Sequence, residues 1–148
     1  MNVLLESRGL NKSFVLGKDN VQPVLKDVDL QIKRGEFVSV MGPSGSGKST
    51  LLYTISGMDR MTSGSVKLDG SELADLSEEA LSDLRLTDMG FVFQHIHLLK
   101  NLSIFDNIVL PGYLARNGGR KAVNQRATAL MEKVGIGELA DNDVTQAS

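Results

Sequence analysis

Val38–Gly57 reads VSVMGPSGSGKSTLLYTISG. An apolar run enters a turn of glycine and serine, and leucines at helical spacing leave it. Gly42, Gly47, Lys48 and Ser49 occupy the fixed positions of G-x-x-x-x-G-K-[ST]. The chemistry of a bound phosphate asks for this order. Glycines let successive N–H groups point inward as an anion nest, and the helix that begins near Gly47 adds its positive end. Lys48 supplies a point charge to the outer phosphates and the Ser49 hydroxyl a ligand for Mg²⁺. A Gly-Ser linker ending in Lys-Ser is the plain alternative. At glycine usage of ~7%, the four fixed positions arise by chance in such a chain on the order of once in a few hundred. The turn is therefore read as a phosphate cradle.

Around the cradle the pattern is that of an α/β chain. VLLESRGLNKSF and VLKDVDLQI alternate as half-buried strands, with the turn chemistry of GKDNVQP between them. GEFVSVM (35–41), a short apolar run bounded by glycines, predicts a strand covered on both faces, and MGFVFQ (89–94) predicts another apolar strand. Leu51, Ile55 and Met58 predict one face of a helix stopped by Gly57, and SVKLDG a strand running into a turn. Ser77 predicts an N-cap with Glu78 and Glu79 in the first turn and a Leu76–Leu81 staple. Ser103 and Asp106 have capping-box spacing, and Pro111-Gly112 predicts a kink or an end to the helix that follows. Val123, Ala127, Leu130, Met131 and Val134 share the face of a further helix stopped by Gly135, and DNDVTQAS points to no element.

Bulk properties exclude several classes. The 148 residues suffice for one domain or part of one, and 41% hydrophobic with 23% charged content is ordinary for a soluble globular chain. A net charge of −2 argues against nucleic acid as the main partner, and the lack of cysteine rules out disulfide and thiolate chemistry. No apolar run nears the ~20 residues of a membrane span, and MNVLLESRGL does not read as a signal peptide. His95 and His97 could share a face, but two ligands fall short of a zinc site. Arg116, Arg120, Lys121 and Arg126 read as a solvated helix face.

A phosphate cradle does not name a reaction. Small nucleoside monophosphate kinases carry a similar turn, but it usually follows a single strand and precedes an arginine-rich lid, neither of which is found here. Along essentially its whole length the chain resembles the nucleotide-binding domain of ABC transporters. NKSFVLG resembles that family's A-loop, with Phe14 as the aromatic; VLKDVDLQIKRGEFVSVMGPSGSGKSTLL resembles its run into the P-loop. GMDRMTSGSVKLDG is similar to its next turn and strand, with Met61 where proline is common, and MGFVFQHIHLLKNLSIFDNIVLP resembles its Q-loop and first subdomain helix. MGPSGSGKSTLL, MGFVFQ and DNIVLP are most similar to the lipoprotein-release and macrolide-export ATPases.

The resemblance implies a P-loop NTPase of ABC type: an antiparallel β subdomain, the first part of a parallel-sheet core, and the start of a helical subdomain. It divides the chain at 1–93 and 94–148. It implies ATP and Mg²⁺ as ligands. Phe14 would stack on adenine, with a core phenylalanine as the alternative. Gly42, Ser44, Gly45, Ser46, Gly47, Lys48, Ser49 and Thr50 would hold the phosphates. Lys48 and Gln94 would serve catalysis, and Ser49 and Gln94 the metal. The implied partners are a membrane permease and a second ATP-binding subunit, at the inner face of the cell membrane. No apolar strand ending in Asp-Glu follows Gln94, and neither the Ser-Gly-Gly signature nor the switch histidine is present. Since Ala147-Ser148 matches where the signature can begin, the expectation is the N-terminal portion of a longer ATPase, inactive alone. A small P-loop kinase and a truncated, non-hydrolysing nucleotide binder stand as alternatives.

Overall fold

The computed structural model describes residues 2–18, 20–95, 97–115 and 118–146, in two compact units, Met1–Arg85 and Leu86–Ser148. The first is built on an antiparallel sheet in the order β2-β1-β3-β4, where β1 is Val3–Val15, β2 Val21–Lys33, β3 Ser63–Leu68 and β4 Ser71–Glu72. Along β1 the inward positions are Leu5 and Ser7, then Leu10 and Lys12. The parity switches at Gly9, where the register with both neighbours shifts, as a β-bulge requires. Phe14 therefore follows Leu10 and Lys12 on one face. Pro23 is tolerated because β2 is an edge strand. Asp69 and Gly70, both at positive φ (48° and 83°), turn β3 into β4.

Helix α1, Lys48–Ile55, packs against the core of Leu5, Leu10, Leu25, Val66, Leu73 and Leu81 through Ile55. It ends at Ile55, so Met58 lies beyond the helix and is partly exposed. The stop at Gly57 is a Schellman turn: Gly57 N–H donates to Thr54 O and Met58 N–H to Tyr53 O. Helix α2, Glu78–Thr87, is capped by Ser77 Oγ, which accepts from Ala80 N–H at 3.2 Å, and Leu76 and Leu81 both join the core.

The second unit pairs α3, Ile104–Leu114, with α4, Arg120–Lys133. Ser103 Oγ caps α3 by accepting from Asp106 N–H at 3.0 Å. The helix runs through Pro111 to Leu114 rather than breaking. Only the bond from residue 111 to the Asn107 carbonyl is forfeited, while Gly112 lets Val123 of α4 approach where a Cβ would meet its Cγ1 at 2.7 Å. Of the predicted α4 face, Ala127 and Met131 are buried, Val123 half-buried, and Leu130 and Val134 exposed. Gly135 closes α4 as predicted, with Ile136 N–H donating to Met131 O. Within the predicted structureless tail, Val144–Gln146 forms a 3-10 turn. Arg120, Lys121 and Arg126 are exposed. Arg116, Ala147 and Ser148 lie outside the described residues.

One expectation fails in both units. Residues 35–41 and 89–94 carry no strand hydrogen bonding. Their composition suits a central strand, but a strand exists only where a neighbour completes its ladder, and among the described residues none lies beside either. Phe37 is 99% exposed and Met41 88%. Among the described residues no helix is long and apolar enough to cross a membrane.

Candidate functional site

The cradle Gly42–Lys48 leads directly into α1. Gly47, the residue before the helix, has φ 91° and ψ 8°, a left-handed conformation that glycine adopts without cost. It also packs against β2, where a Cβ would stand 3.1 Å from Val24 Cγ1. Both demands select glycine. The loop is thereby seated on the edge strand, with a shallow hollow of about 350 Å³ beside it lined by Val24, Lys26, Met41, Pro43 and Lys48.

The ammonium of Lys48 folds over the loop, donating to the carbonyls of Gly42 (3.0 Å) and Pro43 (2.7 Å). These oxygens take the charge that phosphate oxygens would otherwise accept. No side chain caps α1, so the orphan amides of its first turn remain available as donors. Ser44, Ser46 and Ser49 are exposed, and Thr50 is half-buried one turn before Thr54, whose hydroxyl donates back to the Thr50 carbonyl at 2.7 Å. An ammonium, several hydroxyls and uncapped amides form a donor set for a polyanion. By contrast, a hollow of about 800 Å³ beside α4 is lined by Glu132, Glu138 and Asp141, whose charges repel phosphate.

Among the described residues no group of three or more His, Cys, Asp or Glu could hold a metal ion. A divalent cation at the cradle would keep several waters and take its other oxygens from the phosphates and the protein, for which the exposed Ser49 hydroxyl is available. Gln94 is exposed and belongs to the second unit. His97 meets the ring of Phe93 edge-on at 5.0 Å.

Phe14 lies outside the core cluster and is 36% exposed. It is paired with Gln22 on β2, two residues before the Val24 that supports the cradle. Val24 falls in the register shift between the Lys12–Leu25 and Ser13–Pro23 pairs, so the ring and the support of the phosphate loop lie at the same end of the β1–β2 pair. Lys12, which the sequence reading passes over, lies with its Nζ 4.8 Å from the centroid of that ring. The i, i+2 spacing was the available signal. Asn107 was also missed: it accepts from Leu99 N–H at 2.8 Å and donates to the carbonyls of Leu99 and Ser103, bracing the segment that follows Gln94.

A glycine cradle on an edge strand, feeding an uncapped helix and carrying one lysine, defines a P-loop nucleotide-binding protein. Residues 25–148 match the ABC transporter family, and the chain belongs to it. It is 43% identical over its full length to the macrolide export ATP-binding/permease protein MacB of Aggregatibacter actinomycetemcomitans, of which it covers 22%. It is 40% identical, over 94% of its length, to the lipoprotein-releasing system ATP-binding protein LolD of Roseobacter denitrificans, of which it covers 61%. The dimeric ATP-binding cassette MJ0796, in a post-hydrolysis state bound to ADP and Pi, superposes over 98% of the chain with a TM-score of 0.91 at 34% identity. The chain spans 63% of that cassette.

Proposed function

We propose that the chain is the ATP-binding part of an ABC export ATPase, and that its cradle binds the phosphates of Mg-ATP. The carrying observation is the seat of Gly42–Lys48 between β2 and the uncapped start of α1. On binding, Lys48 exchanges the Gly42 and Pro43 carbonyls for phosphate oxygens. The amides of residues 45–50 point charge at the same group, with Ser44, Ser46 and Thr50 lining its path. Phe14 stacks on the base. Mg²⁺, when bound, offsets phosphate charge; Ser49 would hold it, and Gln94 would contact it or the attacking water. We assign residues 1–93 to the β subdomain and P-loop, and 94–148 to the Q-loop and helical subdomain.

The relatives named for export support a role in driving a permease, through which the protein would meet the membrane. The dimeric MJ0796 cassette supports pairing with a second ATP-binding subunit. Lipoprotein, peptide or macrolide is the cargo class that these relatives favour.

Calorimetric titration of Mg-ATP tests the reading. The wild type should bind, and Lys48→Ala should weaken binding at least about tenfold, or ~1.4 kcal/mol, with an unchanged melting temperature. Equal affinity in the two would overturn the reading. No Asp-Glu pair follows an apolar strand in these 148 residues, so steady turnover should be absent from the chain by itself. A phosphate-release rate abolished by Lys48→Ala would contradict that.

A further inference from the structure

We propose that Lys12 is a positioning residue: it fixes the Phe14 ring for base stacking and ties that ring to the phosphate-binding helix through Asp59. The inference rests on the nucleotide reading above and deepens it.

Lys12 is a lysine in an unusual place. It is 8% exposed, on the core face of β1. Such burial is tolerated only where the charge is met. Its ammonium donates to Asp59 Oδ1 at 2.5 Å and to the Arg60 carbonyl at 2.6 Å. The same nitrogen stands over the Phe14 ring, within the range of a cation–π contact. A planar ring has two faces. The ammonium takes one, so a base that stacks on Phe14, which is 36% exposed, must use the other. Among the described residues, no other ring or cation contact orients Phe14.

The anchor on the far side leads to the cradle. Asp59 N–H donates to Tyr53 O at 3.1 Å, the carbonyl that also receives Met58 N–H in the Schellman turn of α1. From Tyr53 the helix runs back, through hydrogen-bonded backbone, to Lys48. Lys12 therefore joins the ring to the C-terminal end of a helix whose N-terminal end holds the phosphate loop. A lysine that only stabilised the fold would weaken every ligand alike. A lysine that positions the ring affects a ligand with a base and spares one without.

That difference is the test. Affinities of the 148-residue chain for Mg-ATP and for Mg-tripolyphosphate, which has no base, would be measured beside melting temperatures. Lys12→Met should weaken ATP about fivefold, the scale of one cation–π contact, and leave tripolyphosphate unchanged. Lys12→Arg, which keeps the cation, should restore most of the loss. Asp59→Asn, which retains an acceptor but drops its charge, serves if Lys12→Met does not fold, and should show the same selective loss. Parallel weakening of both ligands, or of neither, would overturn the inference. Phe14→Ala separates the two levels: if it leaves ATP affinity intact, base stacking at Phe14 is itself wrong. If it weakens ATP while Lys12→Met does not, only the role of Lys12 falls. A wild type that binds neither ligand would overturn the nucleotide reading and this inference together.

Discussion

At Gly57 two independent demands meet in one residue. The chain must reverse out of α1 at φ 67°, a left-handed conformation that costs an L residue about 1–2 kcal/mol. The site is also full, because a Cβ there would stand 2.9 Å from Leu81 Cδ2, and Leu81 is buried in the core. Gly135 makes the same turn after α4, at φ 77°, with nothing within 4 Å of its Cβ position. Alanine at Gly135 should therefore lose only the conformational contribution, about 1 kcal/mol. Alanine at Gly57 should lose more, since Leu81 or the turn must shift. Chemical denaturation of both variants measures the difference. Equal losses would mean that Leu81 moves aside at no cost.

At the scale of elements, the short β3–β4 hairpin and the 3-10 turn Leu73–Asp75 that follows it hang on one carboxylate. Glu72 accepts from Ser65 Oγ, from Val66 N–H at 3.0 Å and from Ala74 N–H at 3.4 Å. Partial burial pushes its pKa up, but these hydrogen bonds outweigh it, with help from Lys67, and hold the carboxyl below the ordinary glutamate value of 4.5. A group whose folded pKa is depressed binds fewer protons folded than unfolded, so its stabilisation is present above the unfolded value. It fades as pH falls through the folded one. Wild type should thus melt above Glu72→Gln at pH 7, and the gap should close as pH drops below 4.5. A gap independent of pH would show that the charge contributes nothing.

The same scale explains what could be read in advance. Caps at Ser77 and Ser103 and stops at Gly57 and Gly135 were legible because each partner lies within five residues. The cradle was legible for the same reason. The runs 35–41 and 89–94 were misread because a strand depends on a neighbour that local composition does not reveal. The helix does not end at Pro111, because proline removes one bond of the ladder while the turns on either side keep theirs, and Gly112 lets Val123 of α4 come close beside it. The Lys12–Asp59 link spans 47 positions, beyond any local pattern.

Across the described residues, the three barest large apolar side chains lie where strands were expected. Phe37, Met41 and Val92 are almost bare, and neighbouring Val38, Val40 and Phe93 are partly so. None belongs to the sheet, so their backbone groups bond to water or to whatever chain comes near. Such segments are templates for intermolecular pairing, and the apolar side chains supply a driving force of about 25 cal/mol per Å² covered. A net charge of −2 gives little opposing repulsion. The chain should therefore self-associate as its concentration rises, with sedimentation velocity showing growing species through the micromolar range. Phe37→Lys puts a charge in the middle of one such run without touching the core, so it should shift the distribution toward monomer and leave the melting temperature unchanged. If wild type stays monomeric at the highest concentrations, or if the lysine changes nothing, the exposed runs are not the contacts and another surface must carry any association.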